Sequence, residues 1–301
     1  MKAELSQAAP TPLRAVLERA TRALAAAGID SARLDAELLL AAALDSDRVR
    51  VVAGAVELSR EALFRYGEFV ERRIAREPLA YILGRKEFFS LELEVNPAVL
   101  IPRPETEVVV AAALDAVARR PDCSILDLGT GSGAIAIAIA IAAGSPRTQI
   151  VATDISSEAL EVARRNAFRF GLEDRIEFRL GDCWDALTTS SDGSRREIGG
   201  FDLVVSNPPY IEDREIDRLA PEIAHSEPRA ALAGGVDGLD FYRRICAGVR
   251  RFLKPGGELI VEIGAGQADS VVTLCRAAGC AETVVIKDLA GYERVVRARF
   301  E

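Results

Sequence analysis

Ser124-Ile125-Leu126-Asp127-Leu128-Gly129-Thr130-Gly131-Ser132-Gly133, followed by the apolar run 134–143, is the stretch that decides the fold. A short apolar strand enters a glycine-rich turn, and a helix leaves it. Glycines there let the backbone approach a ligand closely, and a helix N-terminus directs free N–H groups at it. Read as text, Gly129-x-Gly131-x-x-Ala134 also fits the dinucleotide fingerprint. Two details tilt the reading away from a dinucleotide. Asp127 would repel a pyrophosphate but is able to pair with a cationic ammonium or sulfonium-bearing ligand, and Gly133 falls one position early for that pattern. The next strand, 149–154, ends in Asp154, which suits ribose hydroxyls. Both cofactor classes carry a ribose, so Asp154 does not separate them.

Working outward, strands and helices alternate from Cys123 onward. Strands are expected at 124–128, 149–154, 175–181, 202–206, 257–263, 282–287 and 294–300, with helices such as 157–170 between them. This alternation predicts an α/β fold with a largely parallel, doubly wound sheet. Only 288–293 joins the last two strands, too short for a helical crossover, so they should pair antiparallel. Seven strands with that ending resemble the layout of a Rossmann-like methyltransferase sheet rather than that of a dinucleotide domain.

Upstream, 11–76 carries helical periodicity, with Leu13, Val16, Leu17 and Ala20 on one face and Ser59 placed to cap a long helix. The expected organisation is a helical bundle domain over 1–84, a linking β-hairpin over 85–107 and the α/β domain over 108–301. Within the linker, 87–94 and 98–101 read as strands joined at Asn96-Pro97. Two loops stand out. The segment 188–200 is rich in Ser, Gly and charge. The segment 211–240 is long, follows a strand and contains the only histidine, His225, which reads as a solvated loop residue. Long loops at strand carboxyl ends form lids or substrate walls.

Chemistry concentrates at Asn207-Pro208-Pro209-Tyr210, directly after the apolar strand 202–206. Open α/β sheets bind ligands at that end of their strands. The Asn207 amide offers both an acceptor and donors. Two prolines fix φ and donate no N–H, which leaves the nearby carbonyls to face a substrate. Tyr210 is expected to supply a flat face for stacking. Such a set grips an –NH2 group and holds it in line with an electrophile.

The chain has 301 residues, 49% hydrophobic and 28% charged, with a formal net charge of −8. That is ordinary for a soluble globular protein. It lacks the basic footprint of a protein that holds bare nucleic acid, so no direct nucleic-acid binding is expected. Five scattered cysteines without a C-x-x-C, and a single histidine, argue against a zinc site and against histidine-based catalysis. No metal is expected. The thiols read as reduced and cytoplasmic, and no stretch has the length of a membrane span or the pattern of a signal peptide.

The combination Asp127-x-Gly129-x-Gly131-x-Gly133, Asp154 and Asn207-Pro208-Pro209-Tyr210 resembles the signature of class I S-adenosylmethionine-dependent methyltransferases that act on amino or amide nitrogen. Pro78-Leu79-Ala80-Tyr81-Ile82-Leu83-Gly84, Leu100-Ile101-Pro102-Arg103-Pro104-Glu105-Thr106-Glu107, the segment 238–244 and the segment 287–296 narrow it. From about residue 12 to the end, the chain is similar to the HemK family of bacterial release-factor glutamine N5-methyltransferases. A sibling family, which methylates ribosomal protein L3, typically carries Pro-Arg-Ser-Pro where this chain has Pro102-Arg103-Pro104-Glu105. The resemblance implies S-adenosylmethionine as cofactor and the glutamine of the Gly-Gly-Gln motif of class 1 release factors as substrate. Glutamine methylation of ribosomal protein L3 and adenine N6 methylation of nucleic acid are the alternatives with the same chemistry. By the same resemblance Asp127, Gly129, Thr130, Gly131, Ser132, Gly133, Asp154, Ile155, Asp182, Cys183, Trp184 and Asn207 hold the cofactor. Asn207, Pro208, Pro209 and Tyr210 carry catalysis and, with Arg103 and Glu105, hold the substrate. Some relatives have Trp directly after Asp182. Here Cys183 occupies that place and Trp184 follows, so either is a candidate to cover the adenine. The helical domain is expected to grip the protein substrate.

Overall fold

The computed structural model describes residues 12–120, 122–188 and 198–301. Most of the segment 188–200 therefore lies outside the described residues. The chain divides into two units, one formed by 1–84 with 220–226, the other by 85–219 with 227–301.

The first unit is helical. α1 (Leu13–Ala26), α2 (Ala32–Ala43), the short α3 (Arg48–Val52), α4 (Arg60–Ile74) and α5 (Leu79–Leu83) enclose an apolar core of Val16, Leu17, Leu24, Leu39, Leu40 and Val70. The Ser59 hydroxyl accepts from the Ala62 N–H at 3.0 Å and so caps α4, as the sequence suggested. Arg73 is buried, and its guanidinium donates to Asp35 at 2.8 Å and to Glu222 at 2.9 Å; Arg76 donates to the other oxygen of Glu222 at 2.8 Å. Paired in this way, buried charges are tolerable. The Glu222 contacts explain why 220–226 groups with the helices although the sequence places it in a catalytic-domain loop.

The second unit begins with a hairpin, β1 (Arg85–Phe88) and β2 (Leu91–Glu94), paired from Arg85 opposite Glu94 to Phe88 opposite Leu91. This corrects the expected pairing of 87–94 with 98–101. The chain turns within that first stretch, at Phe89 and Ser90, whose φ angles are +50° and +61°. Two successive left-handed residues fit a two-residue hairpin turn, which usually carries Asn-Gly or a similar pair. Nothing in Phe-Ser announces it. The Glu107 carboxylate accepts from the Phe89 N–H at 2.9 Å and steadies the turn.

The sheet follows as β3 (Ser124–Leu128), β4 (Gln149–Asp154), β5 (Ile176–Leu180), β6 (Phe201–Ser206), β7 (Leu253–Glu262), β8 (Cys280–Lys287) and β9 (Glu293–Phe300). Their spatial order is β5-β4-β3-β6-β7-β9-β8, with β9 antiparallel to both neighbours. The central parallel strands β3 and β6 are buried almost throughout because both sheet faces are covered, whereas the edge strand β5 exposes Glu177. α6 (Glu107–Arg119), α7 (Ala134–Ala142) and α8 (Ser157–Arg169) contribute to one apolar layer. The loop after β6 holds α9 (Asp213–Ile216) and α10 (Pro221–Ser226). α11 (Asp240–Phe252) and α12 (Ala268–Ala277) contribute to the opposite layer.

Asn166 on α8 is fully buried and joins three pieces of the unit. It accepts from the Glu94 N–H at 2.7 Å and donates to the Glu94 carbonyl at 3.0 Å and the Ser132 carbonyl at 2.9 Å. The hairpin and the glycine turn thus share one side chain. Asn166→Ala leaves these buried backbone groups without partners, at a cost of about 3 kcal/mol. Denaturant unfolding should show the loss; an unchanged midpoint would contradict this role.

Candidate active site

Leu128 on β3 lies opposite Thr153 on β4 and Ser206 on β6. The residues that follow on these three strands are Gly129, Asp154 and Asn207. One rung of the sheet therefore delivers the glycine turn, the acidic strand end and the Asn-Pro-Pro-Tyr segment to a single edge. The cleft there is lined on one side by Gly129, Gly131, Asp154 and Ile155, and beyond them by Asp182 and Cys183. Asn207, Pro208 and Pro209 form the other side, with Leu100, Pro228, Ala231 and Phe241 at its rim.

The glycine turn is held from within. The N–H groups of Gly129 and Thr130 both donate to the Thr153 carbonyl, at 2.9 and 2.8 Å, and Gly133 N–H donates to Thr130. Fewer N–H groups face the cleft than the sequence implied. Gly131 has φ +56°, and nothing lies within 4 Å of where a Cβ would project. Gly133 has a different reason: a Cβ there would meet Ile137 at 3.0 Å and Ala163 at 3.3 Å, so it allows the close packing of α7 on α8.

Two carboxylates flank the turn. Asp154 accepts from the Gly131 N–H and the Ser156 N–H, each at 2.9 Å, and keeps lone pairs for a ligand. Burial raises its pKa, and those N–H groups oppose the rise. Asp127 is completely buried. One oxygen accepts from the Thr130 hydroxyl at 2.7 Å, and the other closes no well-formed hydrogen bond among the described residues, although the Ala136 N–H also draws the carboxyl. Burial pushes Asp127 up to about 7 against the pull of that hydroxyl. A buried carboxylate behind an open glycine cradle, with an acid at the next strand end, fits a ligand that carries a cationic amino-acid end and a ribose.

The Asn-Pro-Pro-Tyr segment is anchored from behind. The Tyr210 hydroxyl donates to the Glu262 carboxylate at 3.1 Å, and Gln267 Nε2 donates to the Tyr210 carbonyl at 3.0 Å. Ile211 continues the segment by pairing with the loop at Leu232 and Gly234. The Asn207 amide donates from Nδ2 to the Thr106 hydroxyl at 3.0 Å. Glu262 is 1% exposed, and burial raises its pKa while the nearby Thr106 and Tyr210 hydroxyls draw it down.

Several sequence expectations change here. Tyr210 does not offer a stacking face to the cleft; its ring is drawn back by Glu262 and packs near Gly264. Trp184 does not line the cleft either. Its ring stacks on Phe252 at 4.8 Å between centroids, and its N–H donates to the Arg244 carbonyl at 2.9 Å. Cys183 takes the lining position with φ +53°, and burial raises its thiol to about 11. Asp182 lines the cleft while held by Arg244 at 2.6 Å. Asp127, Thr130, Ser132 and Gly133 shape the turn from beneath rather than lining the cleft. Arg103 and Glu105 are not in its wall. Arg103 pairs at 2.5 Å with the buried Glu227, which fixes the chain just before Pro228, and Glu105 is exposed. Thr106, Glu262 and Gln267 were missed because each is far in sequence from the motif it supports.

Residues 15–84 match the PrmC N-terminal domain family, and residues 119–289 match a methyltransferase domain family. The release factor glutamine methyltransferase of Caulobacter vibrioides is 45% identical over 271 residues, covering 90% of each chain. That of Geobacter sulfurreducens is 43% identical over 289 residues, 95% of this chain and 96% of its own. Among solved structures, the hMettl16 catalytic domain in complex with MAT2A 3′UTR hairpin 6 shares the fold. Its TM-score is 0.55 at 16% identity, over 78% of this chain and 82% of that one.

The raised Asp127 carboxyl has a consequence for stability. Its value is about 7 in the folded state against an ordinary 3.8, so the folded chain binds the proton more tightly. The stability this adds is complete below 3.8 and is lost as pH rises towards about 7. Asp127→Asn removes the dependence. Between about pH 5.5 and pH 8, without ligand, the native chain should lose about 2 kcal/mol relative to the variant. Urea unfolding at the two pH values measures this; parallel behaviour of both chains would refute it.

Proposed function

The chain belongs to the release factor glutamine methyltransferase family, and from that premise we propose that it methylates N5 of the glutamine in the Gly-Gly-Gln motif of class 1 release factors, with S-adenosylmethionine as donor. The observation that carries the reading is the position of Asn207, which lines the cleft beside the glycine turn with its Nδ2 engaged behind it.

The residues fit the donor. Gly129 and Gly131 leave room for it, Asp154 at the cleft edge is proposed for the ribose hydroxyls, and the buried Asp127 carboxyl is proposed to favour a cationic end from beneath the turn. Asp182, Ile155 and Cys183 line the same cleft and are proposed to border the base. When bound, S-adenosylmethionine supplies a methyl carbon made electrophilic by a cationic sulfur.

An amide nitrogen is a weak nucleophile because its lone pair is delocalised into the carbonyl. Asn207 Oδ1 and the Pro208 carbonyl are the acceptors proposed for its two N–H hydrogens. Held between them, the nitrogen would turn its lone pair towards the donor; the N–C bond would form as the C–S bond breaks, the sulfur leaving as a neutral thioether and one amide proton passing to solvent. No strong base is required. The Cys183 thiol, at about 11, stays protonated at neutral pH, and the Tyr210 hydroxyl is raised by burial and bound to Glu262. Positioning supplies most of the rate, and such effects reach about 7–11 kcal/mol in favourable systems. The helical unit is proposed to grip the release factor, and the reaction is proposed to take place in the cytoplasm.

Transfer of labelled methyl from S-adenosylmethionine to a purified release factor tests the proposal. Asn207→Ala should lower kcat by about 100-fold or more while leaving donor affinity within about threefold. Asp154→Ala should weaken donor binding by about 10–100-fold, as expected for lost charged hydrogen bonds. Full turnover by the first variant, or an unaltered Kd by calorimetry in the second, would refute the assigned roles. A release factor whose motif glutamine is replaced by alanine should accept no label.

A further inference from the structure

We infer that Thr106 and Glu262 are positioning residues that fix which end of the Asn207 amide faces the cleft. The inference rests on the proposed function and goes one step behind it. An asparagine amide has two ends of nearly equal shape, one a double donor and one an acceptor. Only the acceptor suits an incoming –NH2 group. If Nδ2 faced the cleft, donor would meet donor and the grip would fail. Some neighbour must therefore choose the orientation, and it must do so before the substrate arrives.

Thr106 makes the choice. It is 4% exposed, at the end of the short turn Pro104–Thr106 that leads into α6, and its oxygen lies 3.0 Å from Asn207 Nδ2. A hydroxyl has one hydrogen to give and lone pairs that accept. By itself it would serve either end of the amide. Here a carboxylate stands beside it. Glu262 closes β7 opposite Val295 of β9, so the sheet fixes its backbone. The side chain is buried, with the Tyr210 hydroxyl donating at 3.1 Å and the Thr106 hydroxyl alongside. An ionised carboxylate only accepts. In its ionised form its second oxygen, which has no other hydrogen-bond partner among the described residues, is free to take the Thr106 hydrogen, and that leaves the Thr106 oxygen as an acceptor. That oxygen then selects the Asn207 –NH2 and leaves Oδ1 for the substrate.

The same carboxylate takes the Tyr210 hydroxyl, so both ends of the Asn-Pro-Pro-Tyr segment report to one group on the neighbouring strand. Asn207 is held through Thr106, and Tyr210 directly. The segment cannot rotate at one end without breaking the set at the other. Glutamine in place of Glu262 would present one acceptor and a donor –NH2 to two hydroxyls, and the direction of the relay would no longer be fixed.

Three variants test this in the release-factor methylation assay: Thr106→Val, which keeps the shape and removes the hydroxyl, Thr106→Ser, which restores it, and Glu262→Gln. Thr106→Val and Glu262→Gln should lower kcat by up to about 100-fold, the scale of a small misplacement at a reacting centre. KM for the release factor and Kd for S-adenosylmethionine should stay within about threefold, while Thr106→Ser should keep at least about one-third of native turnover. A purely structural role would lower the melting temperature and donor affinity without splitting kcat from KM. Native turnover in Thr106→Val, or equal loss in the serine and valine variants, would overturn the inference. If the valine variant fails to fold, the Glu262→Gln and Thr106→Ser results decide it: native turnover in the former, or a loss in the latter as deep as that of Asn207→Ala, would overturn it. An inactive native enzyme would instead refute the proposed function.

Discussion

Parallel pairing of β4, β3 and β6 in one register is the constraint on which the site depends. Because Thr153, Leu128 and Ser206 share a rung, the chain leaves the sheet at the same height on all three strands. The glycine turn, Asp154 and the Asn-Pro-Pro-Tyr segment therefore issue from one edge. A slip of one residue in β6 would turn Ser206 and Asn207 to opposite faces. The register is secured by the buried apolar faces of these strands and by the Ser206 hydroxyl, which donates to the Leu128 carbonyl at 2.7 Å.

Behind that edge, buried carboxylates do work that surface charges could not. Asp127 and Glu262 each keep one oxygen without a well-formed hydrogen bond among the described residues, and burial raises the pKa of both. In a low-dielectric setting a carboxylate orders every nearby donor strongly. Asp127 orders the glycine turn through Thr130. Glu262 anchors the Asn-Pro-Pro-Tyr segment through the Tyr210 hydroxyl. The groups facing the cleft are mostly neutral: glycines, prolines and an amide. Charge is used to orient them and is kept away from the reacting nitrogen. This suits a reaction whose nucleophile is an uncharged amide and whose electrophile is a cation.

Much of this was legible in the sequence because its signals are local. Strands β3, β4 and β6, the glycine turn and the Asn-Pro-Pro-Tyr segment fall within a residue or so of where the structure has them. The antiparallel ending was readable from the short 288–293 link. α7, with its Ala-Ile alternation, has the period of a strand, but both residue types are apolar, and the strand and turn before it decide for a helix. Other features were not legible for physical reasons. The hairpin turns at Phe89-Ser90 against its turn chemistry. Trp184 looked like a base-stacking residue, yet the 3-10 turn from Cys183 to Leu187 directs it onto Phe252. Tyr210 looked like a substrate platform, and only its partner 52 residues away reveals an anchor. Thr106 and Asn207 are 101 residues apart, and no local pattern links them.

The central claim is that this edge of the sheet presents acceptors to a glutamine amide. It is tested most directly by locating the methyl group. Native enzyme, S-adenosylmethionine and an unmethylated release factor would be incubated together, and the product sequenced by mass spectrometry. A single methyl on the side chain of the Gly-Gly-Gln glutamine is the result the account predicts. A methyl on any other residue, or methylation of ribosomal protein L3 or of DNA with the release factor left untouched, would contradict it.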